Sequence, residues 1–157
     1  YMKKTILFLE VAGMIVTGGL FVNQNLDVAA EKEAASELAK MKDLETKTME
    51  GFKKEDVVIG TGKEAVVGSQ VIVHYRGSLA DTLKEFESSY KTGKPIILTL
   101  GTGEVIKGWE MGLLGMKVGG KRRLTVPPAL GYGATGRGDI IPPNATLLFD
   151  IELVEVR

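Results

Sequence analysis

The chain has 157 residues, with 20 Lys+Arg, 20 Asp+Glu, one histidine and no cysteine. That length suits one domain with some chain to spare, and zero net charge gives no bulk attraction to nucleic acid or anionic lipid. A composition 44% hydrophobic and 25% charged excludes a wholly disordered chain. Without cysteine there is no disulfide scaffold, thiolate zinc site or cysteine nucleophile, and the single His74 excludes multi-histidine metal sites.

The N-terminal stretch begins Met2-Lys3-Lys4 and runs into the largely apolar Thr5–Val22, broken by Glu10. Lysines ahead of an apolar run resemble a secretory signal, and Val28-Ala29-Ala30 offers small residues for cleavage. The alternatives are an uncleaved anchor, short for a span and burdened by Glu10, and a buried helix of a soluble domain. Residues 1–30 are therefore expected to be a signal peptide or membrane anchor. Because the lysines precede the apolar run, both readings place the rest of the chain outside the cytoplasm, periplasmic or otherwise extracytoplasmic. Membrane contact would be confined to residues 5–22, and only if the segment stays uncleaved.

Residues 31–51 lack proline and, before Gly51, glycine, and are rich in helix formers. They predict a solvated helical spacer closed by Gly51. Leu38 and Met41 could start a heptad pair, but Glu45 and Thr48 fill the next one, so a coiled coil is not expected. A short dimerisation arm is the alternative to the expected monomer.

Residues 52–157 hold 14 basic and 12 acidic residues and seven of the ten aromatics, so the folded domain is expected there. Gln70–Leu79 alternates Val71, Val73 and Tyr75 against Ile72, His74 and Arg76, a strand pattern. Pro95–Leu100 reads as a short strand opened by its proline. Ile106, Trp109, Leu113 and Met116 share one helical face, with Gly115 as the stop. Lys121–Val126 is a strand ended by Pro127-Pro128, and Ala145–Val156 is another, with Leu147, Phe149, Ile151 and Leu153 on one face. Gly131–Pro143 is a long loop of the kind that carries function. Strands outnumber helices, which gives an α+β antiparallel sheet folded over one helix.

Standard catalytic motifs are missing. Gly60-Thr-Gly-Lys63 lacks the earlier glycine and the following Ser or Thr of a phosphate loop, and Gly101-Thr-Gly103 lacks a dinucleotide glycine. No nucleophile elbow occurs. His74 reads as a structural hydrogen-bonding residue, Arg137-Gly138-Asp139 as a chance tripeptide, and Lys121-Arg122-Arg123 as a solvated strand end. What remains is an aromatic set, Tyr75, Phe86, Trp109, Tyr132 and Phe149, spread over separate elements.

Five ordered motifs surround that set: VHYRG (73–77), FESS (86–89), GEVIKGWE (103–110), VGGKRRLTVPPALGYG (118–133) and IIPPNATLLFDIEL (140–153). With them, residues from about Val57 to Val156 resemble an FKBP-type peptidyl-prolyl cis-trans isomerase, and the VGGKRRL stretch has a bacterial look. The resemblance implies a five- to six-stranded antiparallel half-barrel wrapped around a short helix. It implies an apolar pocket with Trp109 as floor and Tyr75, Phe86 and Phe149 as walls, joined by Val105, Ile106 and Ile141. The Ile106 N–H and the Tyr132 hydroxyl would bond substrate carbonyls, and Tyr132, Ile140 and Ile141 would lie on an overhanging loop. Ile96 and Leu98 stand at two further wall positions that are aromatic in eukaryotic members. Glu87 replaces the usual aspartate, its extra methylene threatening contact with the pocket tyrosine. Thr92 replaces a frequent arginine, and Asp81-Thr82 a hairpin Asp-Gly. The implied ligands are proline-containing polypeptides and, with weakened affinity, macrolides such as tacrolimus and rapamycin. The resemblance implies no cofactor, metal or nucleic acid.

The chemistry needs no nucleophile. An Xaa-Pro bond isomerises in roughly 10–100 s unaided, and a thousandfold acceleration takes about 4 kcal/mol. Twisting the amide removes resonance and its charge separation, so an apolar, water-poor pocket favours the twisted form. The expected function is a prolyl isomerase assisting folding outside the cytoplasm. The alternative is a non-catalytic chaperone or scaffold module that grips proline segments.

Overall fold

The computed structural model describes residues 24–157, so of the signal or anchor segment expected over residues 1–30, residues 1–23 lie outside the described residues and the remainder falls in a helix. The chain divides into two compact units, residues 1–38 and residues 39–157. The helix α1, Gln24–Met49, begins ahead of the expected spacer at residue 31. Asn25 to Ala30 contain no breaker and end in two alanines, the best helix formers, so the helix extends through them. Gly51 takes a φ of +84°, a left-handed conformation that glycine adopts freely, just past the helix end. Among the described residues, no helix is long and apolar enough to cross a membrane.

The second unit contains a six-stranded, fully antiparallel sheet. Its strands are β1 (Lys53–Val58), β2 (Gln70–Leu79), β3 (Glu85–Ser88), β4 (Ile96–Thr99), β5 (Lys121–Val126) and β6 (Leu147–Val156). The order is β1-β5-β6-β2-β3, with β4 also paired to β2. The single long strand β2 therefore serves two neighbours on one edge: Gln70 to Val73 face β4, and Arg76 to Ser78 face β3. Between them a single turn of helix, α2 (Ser89–Thr92), steps out and returns.

The expected alternation holds except at Ile72, which is also buried. Val71, Val73 and Tyr75 of β2 and Leu147, Phe149, Ile151 and Leu153 of β6 are buried, with Leu124 and Val126 of β5 beside them. Against this face lies α3, Lys107–Leu113, which buries Trp109 and Leu113. Its close approach depends on Gly108 and Gly112, one turn apart. A Cβ on Gly108 would sit 2.5 Å from a Val126 methyl, and one on Gly112 2.3 Å from a Leu124 methyl. Gly115, at φ +76°, ends the helical segment.

Two strands escaped the sequence reading. β1 is exposed at every position and polar over its first four residues, so it has no buried face to signal. β3 is four residues long and carries a single aromatic, Phe86. The basic triplet also needs correcting. Arg122 is not solvated but 8% exposed, because strand alternation turns the middle residue of Lys121-Arg122-Arg123 inward. It donates to both oxygens of Asp56 at 2.7 and 3.0 Å, and to the carbonyls of Gly112 and Leu114 at 2.7 and 3.1 Å.

Candidate active site

A cleft of about 470 Å3 opens between sheet, helix and loops. β2 supplies Tyr75, β3 Glu87, β4 Ile96, α3 Trp109 and β6 Phe149. The connection before α3 supplies Glu104, Val105 and Ile106, and the loop before β6 supplies Tyr132 and Arg137. Eight of these ten, all but Glu104 and Arg137, were expected from the sequence.

Trp109 is 4% exposed and meets Tyr75 and Phe149 edge-on, with centroids 5.0 and 5.3 Å away and interplanar angles of 84° and 89°. Edge-to-face pairs contribute about 0.5–1.5 kcal/mol beyond area burial, and each contact fixes ring orientation. The indole N–H is buried without an acceptor among the described residues, so the ring presents its apolar body rather than a polar handle. Phe86 is not a lining residue. It stands behind the cleft, packed edge-on against Phe149 at 5.8 Å. Gly77 makes room for the pair, since a Cβ there would fall 2.6 Å from the Phe86 ring and 3.0 Å from the Phe149 ring.

The other expected residues divide. Leu98 is buried in the core and is not part of the cleft lining: it shares the inward face of β4 with Ile96 but lies one pleat further along, opposite Val71, where the core closes over it. Ile141 is also core, at 1% exposed, whereas Ile140 is 59% exposed and turned away from the lining. The Ile106 carbonyl accepts the Trp109 and Glu110 N–H groups at 2.9 and 3.2 Å. Its own N–H has no acceptor among the described residues. Glu110 accepts the N–H groups of Gly101 and Gly103 at 2.5 and 3.0 Å, tying the preceding loop to the helix.

Glu87 lines the cleft together with Tyr75 despite its longer side chain. Burial pushes the Tyr75 phenol up to about 12, reinforced by the negative charge of Glu87. Arg137, which as part of Arg-Gly-Asp looked like chance, also reaches this carboxylate. Its Nη1 lies 3.2 Å from Glu87 Oε2 and 3.4 Å from Tyr132 Oη. Its guanidinium lies 5.7 Å from the Tyr132 ring centroid. The tyrosine and the Glu87 charge raise the Arg137 pKa further above its ordinary range. The arginine missing at Thr92 thus has a counterpart on the opposite loop, a long-range pairing that local spacing does not signal.

His74 is structural, as expected. Its Nδ1 lies 2.9 Å from Ser89 Oγ, and its ring stacks on Tyr90 at 4.8 Å. Ser89, the last residue of FESS, is buried and accepts the Tyr75 N–H at 2.8 Å, fixing the backbone that carries the cleft tyrosine. The sequence reading gave Ser89 no role.

The family model for FKBP-type peptidyl-prolyl cis-trans isomerase matches residues 61–154. The chain belongs to this family. It is 53% identical over 108 residues to the FK506-binding protein of Neisseria meningitidis serogroup B, covering 69% of this chain and 98% of that protein. It is 46% identical over 117 residues to the peptidyl-prolyl cis-trans isomerase FPR2 of Saccharomyces cerevisiae, covering 74% and 84%. The crystal structure of AtFKBP13 is similar at a TM-score of 0.63 and 44% identity, covering 68% of this chain and 93% of that one. The FKBP-type domain accordingly has the expected antiparallel sheet over a short helix, and the chain is a peptidyl-prolyl isomerase.

Proposed function

We propose that the cleft over Trp109 is where this isomerase turns the Xaa-Pro bond, and that it serves proline-containing polypeptides outside the cytoplasm. The observation that carries the first half is the Trp109 ring, locked edge-on by Tyr75 and Phe149 at the base of the cleft. A flat apolar ring suits a pyrrolidine. Aliphatic Val105, Ile106 and Ile96 exclude water around it, which favours the amide in its less charge-separated, twisted form. The unpartnered Ile106 N–H and the Tyr132 hydroxyl are donors for the carbonyls flanking the prolyl bond. No proton is transferred and no bond is broken, so a site with neither acid–base pair nor metal suffices.

The test is cis-to-trans relaxation of an Xaa-Pro peptide with the full chain, beside Trp109→Leu and Trp109→Ala. Turnover that falls at least tenfold in both, with melting curves showing folded protein, supports the reading. Tight peptide binding with no turnover by the unaltered chain would return the protein to a proline-gripping module.

The extracytoplasmic placement rests on Lys3-Lys4 ahead of Thr5–Val22. Fractionation of cells expressing the chain tests it, and recovery in the cytoplasmic fraction alone would overturn it. Several relatives are named FK506-binding proteins. By extension this cleft takes macrolides of that type. It takes them weakly, because β4 offers one aliphatic residue, Ile96, and withdraws Leu98 into the core. Affinity equal to that of a member with aromatic walls there would refute the weakening.

A further inference from the structure

The loop before β6 is tied to the sheet through Arg137. The backbone at this residue is firmly held. The Arg137 N–H donates to the Ile141 carbonyl at 2.8 Å, and its carbonyl accepts from the Ile140 and Ile141 N–H groups at 3.3 and 3.2 Å. Gly136 beside it has φ +68°, and a Cβ there would fall 2.2 Å from the Ile141 oxygen. From this fixed point the side chain reaches Glu87 on β3, across the cleft mouth. Three side chains thus join sheet to loop in the order Glu87, Arg137, Tyr132.

We propose that Arg137 is a positioning residue for the isomerisation: paired with Glu87, it holds the overhanging loop across the cleft and orients the Tyr132 hydroxyl. This rests on reading the cleft as the isomerase site. The orientation has a chemical consequence. Arg137 Nη1 donates to Tyr132 Oη, so the oxygen is engaged as acceptor and its own proton is left to donate. A peptide carbonyl, which can only accept, requires that polarity. A loop held in place before the peptide arrives also loses less freedom on binding, which favours affinity.

The experiment measures kcat and KM for an Xaa-Pro peptide with the full chain carrying Arg137→Ala, Arg137→Lys, Glu87→Gln or Arg137→Ala with Glu87→Gln. Both partners are about half exposed, with side chains 53% and 44% accessible. The expected effect of Arg137→Ala is therefore modest, KM rising about threefold to fivefold with kcat little changed. Arg137→Lys should recover part of the loss. The double variant should be no worse than Arg137→Ala alone, since both changes break one contact. High salt should raise the KM of the unaltered chain and leave that of Arg137→Ala in place. An unchanged KM in Arg137→Ala, or fully additive effects, overturns the proposal. Trp109→Leu, run in parallel, separates the two readings. If it abolishes turnover while Arg137→Ala is silent, the positioning role alone fails. If it turns over normally, the cleft reading fails and takes the proposal with it.

Discussion

Arg122 grips Asp56 in a two-pronged contact of 2.7 and 3.0 Å, and with its remaining nitrogen it closes the C-terminal end of the helix that carries Trp109. One side chain therefore links an edge strand, a central strand and the floor of the cleft. Replacing Arg122 with alanine leaves a carboxylate and two helix-end carbonyls without their donor. Asp56 is 42% exposed, so the cost comes mainly from the buried carbonyls left without a donor, about 1–3 kcal/mol, read as a reduced denaturant midpoint. Arg122→Lys recovers little, because an ammonium cannot meet both carboxylate oxygens and both carbonyls.

Acid should unfold the protein through the same network. The hydrogen bond from Arg122 holds the Asp56 carboxyl below its ordinary value of 3.8, outweighing partial burial. Burial pushes Asp150 up, but its hydrogen bonds to Arg123 and Arg76 prevail and leave it below 3.8. The hydrogen bond from Tyr90, with help from Lys121, holds Glu152 below 4.5. Carboxyls with lowered folded-state values contribute stability that is complete above their unfolded values. It is lost as pH falls through the folded values. Stability should be flat from neutral pH down to about pH 5 and then fall steeply. Arg123→Ala should make the fall shallower, as shown by melting temperature against pH.

Two tyrosines should ionise late. Burial pushes both Tyr75 and Tyr90 up to about 12, each reinforced by a neighbouring carboxylate, Glu87 and Glu152 respectively. A raised phenol value means that the neutral form is favoured by folding. That contribution is present below the ordinary value of 10.0 and is lost as pH rises toward 12. An alkaline titration followed by tyrosinate absorbance should show a late step near pH 12, reduced by one group in Tyr75→Phe. A cleft tyrosine titrating near 10 would refute the burial argument.

Gly77→Ala should strike the cleft through its walls. The added methyl cannot share space with Phe86 and Phe149, so the ring that holds Trp109 must shift. The expected result is a loss of about 1–3 kcal/mol, as for other overpacked sites. Turnover should fall by a larger factor than for Gly68→Ala, where a Cβ would meet nothing within 4 Å and the cost is confined to a left-handed backbone at φ +85°.

Ser89→Ala removes the acceptor of the buried Tyr75 N–H and the partner of His74. An orphaned buried donor costs about 1–3 kcal/mol. Thermal unfolding should shift accordingly, and Ser89→Thr, which keeps the hydroxyl, should recover part of the shift.

Strands and helix were legible where one face is buried and the other wet, because burial writes its period into the sequence. β2 and β6 are of that kind. β1 has no buried face and β3 is too short to show a period, so neither announced itself. The cleft was legible through its aromatics, which are few and fall within ordered motifs. Leu98 was misplaced because it shares the inward face of β4 with Ile96, and the two-residue period tells which face a residue takes but not where along that face the cleft gives way to the core. Arg122 and Arg137 were missed for a common reason. Each acquires its role from a carboxylate 66 or 50 residues away, and nothing in the nearby sequence distinguishes such an arginine from one in solvent.

The outermost strand, β1, leaves one side of its backbone without a strand partner, yet its residues read Lys-Lys-Glu-Asp before Val57-Val58. An open border of this kind can be joined by any extended chain that meets it. Charge along that border makes each such encounter costly to desolvate, so the sheet does not grow by adding strands. Neutralising Lys53, Lys54 and Glu55 together would leave the cleft as it is and turn an isomerase into a seed.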